Sequence, residues 1–305
     1  MRDDGDERRA RLDMTAQLVQ LAINALAVGC IYAVVALSVE IAYESTGVVN
    51  FAAGQLVTAG ALIGLTSAAL TNGRIALAYP LVLAAMALIG MMFLIGVYLP
   101  LRRQSLLTIV IGTVGVGIFI QNIMLLTWGP LPKSAPSPMG GGAIQIAGVT
   151  LSLHVLFVIA VTSVLLVLIY LLLYRSTVGR QFRAMAQDPE AAVLMGIRVK
   201  LLYAFNWILV CMMAGIAGLL SAPMWFVDVN MGDNVGLKAF ASIMIGGFGS
   251  VPGAIIGGII VGAIEIFGAF YISSTFKEAL VFASMFMFLL VRPQGIFGER
   301  VADRA

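Results

Sequence analysis

Charged residues are scarce in this chain of 305 residues: Asp, Glu, Lys and Arg together make up 11% of it, against about 25% in soluble domains. Only two cysteines and one histidine are present, which argues against a disulfide framework and against a metal site built on these residues. A net charge of +3 is too small to indicate a nucleic-acid-binding surface. No nucleophile and base are spaced in a way that indicates catalysis, so we do not expect an enzyme.

Apolar residues are abundant instead, at 61% of the chain with a mean hydropathy of +1.02. Runs of about 18 or more such residues predict transmembrane helices. Uninterrupted runs lie near 17–42, 78–100, 105–127, 151–174, 203–222, 254–272 and 278–291. With two interrupted segments added, the prediction is an all-α, polytopic integral membrane protein with eight to nine crossings. A polar tail is expected at 1–15, one transmembrane domain at 16–298 and a second tail at 299–305.

Basic residues predict the orientation, because Lys and Arg concentrate in cytoplasmic loops. They cluster in 101–104, in 175–202 and in the C-terminal tail, which we expect inside. Lys133, Lys238 and Lys277 lie in the loops assigned to the other side.

The side of the membrane on which the N-terminus lies stays open between two alternatives. Four arginines there favour the inside, although five acidic residues are mixed among them. A full crossing by 46–66 places the N-terminus outside.

Two apolar segments, 46–66 and 238–258, are interrupted by glycine, proline or polar residues. Irregular backbone at membrane depth survives only inside protein or along a wet cavity, and paired interruptions point to a transport path. The candidate path residues are Gly47, Asn50, Gly54, Gln55, Gly246, Gly247, Gly249 and Ser250. Close helix packing by small residues and amide hydrogen bonds between helices are the alternatives.

Glu265 joins this candidate path because it is an ionisable residue within an apolar run. Such residues usually face the interior of a helix bundle and often mark pathways. A structural pairing with the backbone or with a basic partner is the alternative.

The loop at 175–202 predicts two short helices. Val178, Phe182 and Met185 form an amphipathic stripe. Asp188 is placed to cap a second helix with Pro189 in its first position. Gly196 can end that helix, whose expected contact surface is Ala191, Ala192, Leu194 and Met195. Such a helix either docks into a groove on another protein or rests on lipid headgroups.

The stretch GRQFRAMAQDPEAAVLMGI resembles the EAA loop of permease subunits in ATP-binding cassette importers. STGVVNFAAGQLVTAGAL, KAFASIMIGGFGSVPGAIIGGIIVGAIE and RPQGIFG narrow the resemblance to the branched-chain amino acid permeases of the LIV type. By this resemblance the fold is a type II-like importer permease, and 179–197 meets an ATPase subunit. The implied coupling residues are Arg180, Arg183, Asp188, Glu190, Ala191, Ala192 and Gly196.

The resemblance also implies partners. They are two ATPase subunits, a second homologous permease subunit, an extracytoplasmic solute-binding protein and the bilayer of a bacterial inner membrane. ATP and Mg are expected on the ATPase chains, because no G-x-x-x-x-G-K-[ST] phosphate loop occurs here. The implied cargo is a branched-chain or related amino acid. Ala53 and Gln55 depart from the family's N-F-A-H-G-E, which leaves urea, short amides, other small carboxylates and a passive channel as alternatives.

Overall fold

The computed structural model describes residues 3–146 and 148–298, which form an almost entirely helical bundle. Its elements are α1 (Asp3–Thr46), α2 (Ala53–Leu70), α3 (Ile75–Phe93), a π-helical turn (Leu94–Tyr98), α4 (Leu99–Leu101), α5 (Leu106–Trp128), β1 (Ala143–Ile146), β2 (Val149–Ser152), α6 (Leu153–Arg175), α7 (Thr177–Gln187), α8 (Pro189–Leu194), α9 (Val199–Ser221), α10 (Met231–Gly246), α11 (Val251–Tyr271) and α12 (Lys277–Val291). The expected tail at 299–305 lies outside the described residues, and the expected boundary at residue 15 falls inside α1.

Seven helices in the described part of the chain are long and apolar enough to cross a membrane. They are Met14–Thr46, Ala53–Leu70, Leu77–Leu101, Leu106–Trp128, Leu153–Arg175, Val199–Ser221 and Val251–Tyr271. The all-α membrane class is thereby confirmed. Helices α10 and α12 contain 16 and 15 residues, and the total of eight to nine crossings stays a prediction.

The core of the bundle is the contact between α1 and α11. Glycines make it close: a Cβ added to Gly258 would lie 2.4 Å from the backbone nitrogen of Ala33, and one added to Gly262 would lie 2.4 Å from Gly29 Cα. Rising residue numbers on α1 meet falling numbers on α11, so the two helices are antiparallel. Their backbones touch, as expected where small residues rather than side-chain burial hold membrane helices together.

Helix α1 runs from one end of the bundle to the other. Ala16, near its start, lies against Gly148 of the β1–β2 hairpin. Ser45, at its other end, shares a small cavity with Leu173 and Gly179, where α6 meets α7. The N-terminal part of α1 and the α7–α8 loop therefore lie at opposite ends, which favours the alternative in which 46–66 crosses.

A loop at 292–298 closes the open end of α10. The N–H groups of Ile296 and Phe297 donate to the carbonyl oxygens of Ile245 and Gly246, each at 2.9 Å. The last carbonyls of a helix have no partner within it, so this loop supplies two of the missing donors. The RPQGIFG stretch thereby acquires a structural role.

Gly295 is the residue of this loop that cannot carry a side chain. Its φ is +78°, and an added Cβ would lie 2.3 Å from Gly247 Cα. We expect Gly295→Ala to lower the apparent melting temperature of the purified protein strongly, because backbone cannot yield as a flexible side chain does. Gly73→Ala is the control, since Gly73 has a φ of +75° in open space. Gly73→Ala measures only the cost of placing alanine at a positive φ, about 1 kcal/mol. Equal losses of melting temperature in the two variants would contradict the explanation by close contact.

Candidate functional site

The first interruption, residues 47–52, joins α1 to α2. Asn50 is buried there, and its Oδ1 accepts a hydrogen bond from the Ala52 N–H at 3.0 Å. Its amide nitrogen Nδ2 has no hydrogen-bond partner. The N-cap of α2 is Ala52, so no side chain accepts a bond from the first-turn N–H groups of that helix. The Ala53 N–H donates to the backbone carbonyl of Asn50 at 3.4 Å. The N–H groups of Gly54 and Gln55, which have no side-chain cap, lie beside the free amide donor of Asn50.

A cavity of about 350 Å³ opens at this place between the end of α1, the start of α2 and α10. Its lining is apolar apart from the side chains of Asn50, Gln55 and Asp233. The structure therefore brings together three of the predicted path residues, Asn50, Gly54 and Gln55, and adds a carboxylate from α10. Gly47 has a φ of +68° in open space at the end of α1.

Asp233 is held by neutral amides. Gln55 Nε2 donates to its Oδ1 at 2.5 Å, and Gln121 Nε2, on α5, donates to its Oδ2 at 3.1 Å. Among the described residues no Lys or Arg lies within ion-pair distance of this carboxylate. Glutamine at position 55 suits this contact, because a glutamate there would bring a second negative charge against Asp233.

Sequence reasoning missed Asp233. The available signal was an acidic residue shortly before an apolar interrupted segment.

Gly54 has a packing role. A Cβ on it would lie 2.1 Å from the carbonyl oxygen of Gly232. The close crossing of α2 over α10 at these glycines puts Gln55 within reach of Asp233. Of the two readings open for Gly54, the structure favours helix packing, although the residue also lines the cavity.

The second interruption joins α10 to α11 through Gly247, Phe248, Gly249 and Ser250. Gly247 and Gly249 have φ values of +103° and +82°, and Ser250 Oγ accepts from the Gly253 N–H to cap α11. Glu40, fully buried on α1, accepts from the Gly249 N–H at 2.7 Å. The Glu40 carboxyl group therefore stabilises irregular backbone inside the protein.

A row of aromatic rings links the two interruptions. Ring centroids are 5.9 Å apart between Phe51 and Phe240, 6.0 Å between Phe240 and Phe248, and 5.1 Å between Phe248 and Tyr43. Phe51 belongs to the first interruption and Phe248 to the second. Gly246 stands at the end of α10 against Gly253, outside the cavity.

Glu265 lies in a separate cluster. Lys238 Nζ donates to its Oε1 at 2.6 Å, and the Tyr32 hydroxyl donates to its Oε2 at 2.6 Å. Lys277 Nζ is 3.8 Å from the same carboxylate. The placement of Lys238 in an outer loop was wrong, because it is buried on α10. This geometry favours the structural alternative for Glu265, a pairing with a basic partner.

The α7–α8 loop has the local structure that its sequence predicts. Phe182 and Met185 are buried. Asp188 Oδ1 accepts from the N–H groups of Glu190 and Ala191 at 2.9 and 3.0 Å, and Gly196 follows α8 with a φ of +81°. The cap and the terminator are confirmed.

The exposed surface of α8 differs from the expected one. Ala192 is 3% exposed and packs inward, so its assignment to the contact surface is wrong. Val193, Leu194 and Met195 are 57%, 87% and 83% exposed. Arg180 is exposed, whereas Arg183 turns inward and donates to the Leu173 carbonyl.

Two interrupted segments, one of them beside a cavity with three polar side chains, in a bundle of apolar helices with a capped helical loop, are typical of a multi-pass membrane protein of the transport class. The chain belongs to the family of permease components of branched-chain amino acid transport systems, whose model matches residues 21–291.

Similar curated proteins span nearly the whole chain. The permease protein BraD of a high-affinity branched-chain amino acid transport system in Pseudomonas aeruginosa is 30% identical, over 94% of this chain and 97% of BraD. The corresponding permease protein LivH of Salmonella typhimurium is 31% identical, with the same coverage of 94% and 97%. The structure of PsaBC from Streptococcus pneumoniae in complex with Fab has a similar fold, with a TM-score of 0.52, 13% identity, and coverage of 94% of this chain and 98% of that one.

Proposed function

We propose that the chain is the permease subunit of an ATP-driven importer of branched-chain amino acids. It forms part of the membrane path together with a second, homologous permease subunit. ATP and Mg are bound by two separate ATPase chains, and an extracytoplasmic binding protein delivers the solute. The family match over residues 21–291 and the named relatives support this assignment.

The observation that carries the coupling role is the exposed apolar end of α8. Val193, Leu194 and Met195 are consecutive, exposed and held on a helix that is capped at both ends. Ala192 anchors the opposite side of that helix against the bundle. A short rigid helix with a projecting apolar surface fits a groove on a partner protein, which we assign to the ATPase subunit.

Packed contacts connect the α7–α8 loop to the interior of the helix bundle. Gly179, at the start of α7, lies against the Leu173 backbone at the end of α6, and Arg183 lines a small cavity with Glu44 of α1. Through Glu40, α1 in turn holds Gly249 in the second interruption. A rigid-body shift of α7 and α8 on ATP binding therefore reaches the interrupted segments through packed elements.

The orientation follows from this assignment. The α7–α8 loop and the 292–298 loop face the cytoplasm, where the ATPase subunits bind. The start of α1 and the β1–β2 hairpin then lie on the extracytoplasmic side, where the binding protein docks.

Leu194→Glu tests the docking role. We expect at least about a tenfold loss of both uptake and ATPase stimulation, because a carboxylate buried in an apolar groove costs several kcal/mol. The apparent melting temperature should not change, since this side chain is exposed. Uptake and ATPase activity are measured in proteoliposomes with the binding protein present.

Gln187→Glu is the matched control, since it adds the same charge at an exposed position at the end of α7. Undiminished assembly and transport by the Leu194 variant would contradict the docking role of α8.

A further inference from the structure

We infer that the cavity between α2 and α10 binds the charged head group of a zwitterionic α-amino acid. Asp233 receives the ammonium group, and Asn50 with the N-terminus of α2 receives the carboxylate. This inference rests on the proposed transport function and assigns the specificity of that transport to residues of the permease itself.

The ammonium half follows from the unbalanced charge of Asp233. A carboxylate has about four acceptor positions, and Gln55 and Gln121 use one on each oxygen. Neither amide neutralises the charge, and no basic side chain in the described ranges pairs with it. Gln55 Oε1 also lacks a partner and is a second acceptor. A small cation in the cavity completes this set.

The carboxylate half lies across the same cavity. The first N–H groups of a helix lack intrahelical partners and carry the positive end of its dipole. In α2 no side chain caps them. The Ala53 N–H donates to the Asn50 carbonyl, which leaves those of Gly54 and Gln55, two residues that line the cavity. Asn50, 2% exposed, adds an amide nitrogen without a partner. Interrupted membrane helices bind anionic substrate groups with such termini.

The remaining wall fits an aliphatic side chain. Phe51, Leu237 and Phe240 line the cavity and offer an apolar surface next to the charged positions. A volume of about 350 Å³ is within the range of small-ligand sites. Urea can hydrogen-bond to a carboxylate and to backbone N–H groups, but it carries no positive charge to balance Asp233, so the arrangement favours an amino acid over the amide alternatives.

The test is equilibrium binding of radiolabelled L-leucine to the purified complex of this chain with its permease and ATPase partners, without the binding protein. We expect saturable binding that Asp233→Asn weakens at least about tenfold, because a charge-assisted hydrogen bond is lost. Asn50→Ala should weaken it as well. Asp228→Asn is the matched control, because Asp228 lies outside this cavity and bonds the Asn230 N–H. A competitor series on the unmodified complex gives a readout that does not depend on folding of the variants.

Leucine should compete at least about tenfold better than 4-methylpentanoate, which lacks the ammonium group, 3-methylbutylamine, which lacks the carboxylate, or urea. Absent binding, binding unchanged in Asp233→Asn, or equal competition by any of these compounds would overturn the site. ATP-driven leucine uptake by the unmodified transporter is measured in parallel. If leucine is taken up but does not bind to the purified complex, the proposed site is wrong and the proposed function stands. If leucine binds but is not taken up, the proposed function is contradicted and the site stands.

Discussion

Replacing Lys238 with methionine should destabilise the protein by about 3 kcal/mol, because it leaves the Glu265 carboxylate buried without its closest cation. Both side chains are about 6% exposed, so water cannot compensate for the lost charge. Lys277, 3.8 Å from the same oxygen and 42% exposed, replaces little of the interaction. The apparent melting temperature in detergent measures the effect, with an expected drop of about 5 °C.

The double variant Lys238→Met with Glu265→Gln is the control for this effect. Removing both charges should recover most of the lost stability, because a buried ion pair contributes far less than the cost of breaking it. Tyr32→Phe should cost about 1–2 kcal/mol, since it removes one hydrogen bond to a charged group. A double variant no more stable than Lys238→Met would show that the cluster does more than balance charge.

Gly54→Ala should abolish stable folding or lower the melting temperature more than any other single methyl addition in α2. The new Cβ would lie 2.1 Å from the Gly232 carbonyl oxygen, and the neighbouring atoms are Gly232 and Gly236 backbone. Overpacking costs about 1–3 kcal/mol where side chains can yield, and backbone yields less. Expression yield and size-exclusion profiles in detergent are the measurements.

Gly115→Ala, in α5, is the matched control, because nothing lies within 4 Å of its added Cβ. It should be neutral or stabilising by up to about 1 kcal/mol, since alanine favours a helix more than glycine does. Equal behaviour of the two variants would contradict the close crossing of α2 and α10.

Local signals in the sequence predicted the parts of the structure that depend on neighbouring residues. The helix cap at Asp188, the terminator at Gly196 and the buried stripe through Phe182 each follow from residues within one or two turns. The interruption after Thr46 was visible for the same reason, because glycine and amide residues stand out in an apolar run. The family resemblance, now shown, also came from short contiguous stretches.

Contacts between distant residues escaped prediction. Lys238 looked like a loop residue because its partner, Glu265, lies on another helix. Glu40 was not among the predicted site residues, because nothing near it in the sequence reveals its bond to Gly249. Asp233 gained its meaning only when α2 crossed α10 and brought Gln55 to it. In each case a polar group in an apolar run was the signal, and its partner came from tertiary packing.

The 292–298 loop gives α10 an unusual dynamic property. The amides of Ile296 and Phe297 in this loop are hydrogen-bonded to the last turn of α10. They should therefore exchange hydrogen with solvent more slowly than amides in other loops. Exchange there requires the loop to leave the second interruption, and cooperative units open together. The hydrogen-exchange rate of these two amides therefore reports how often the loop separates from the α10–α11 connection. A complex that cycles through ATP should exchange them faster than one at rest.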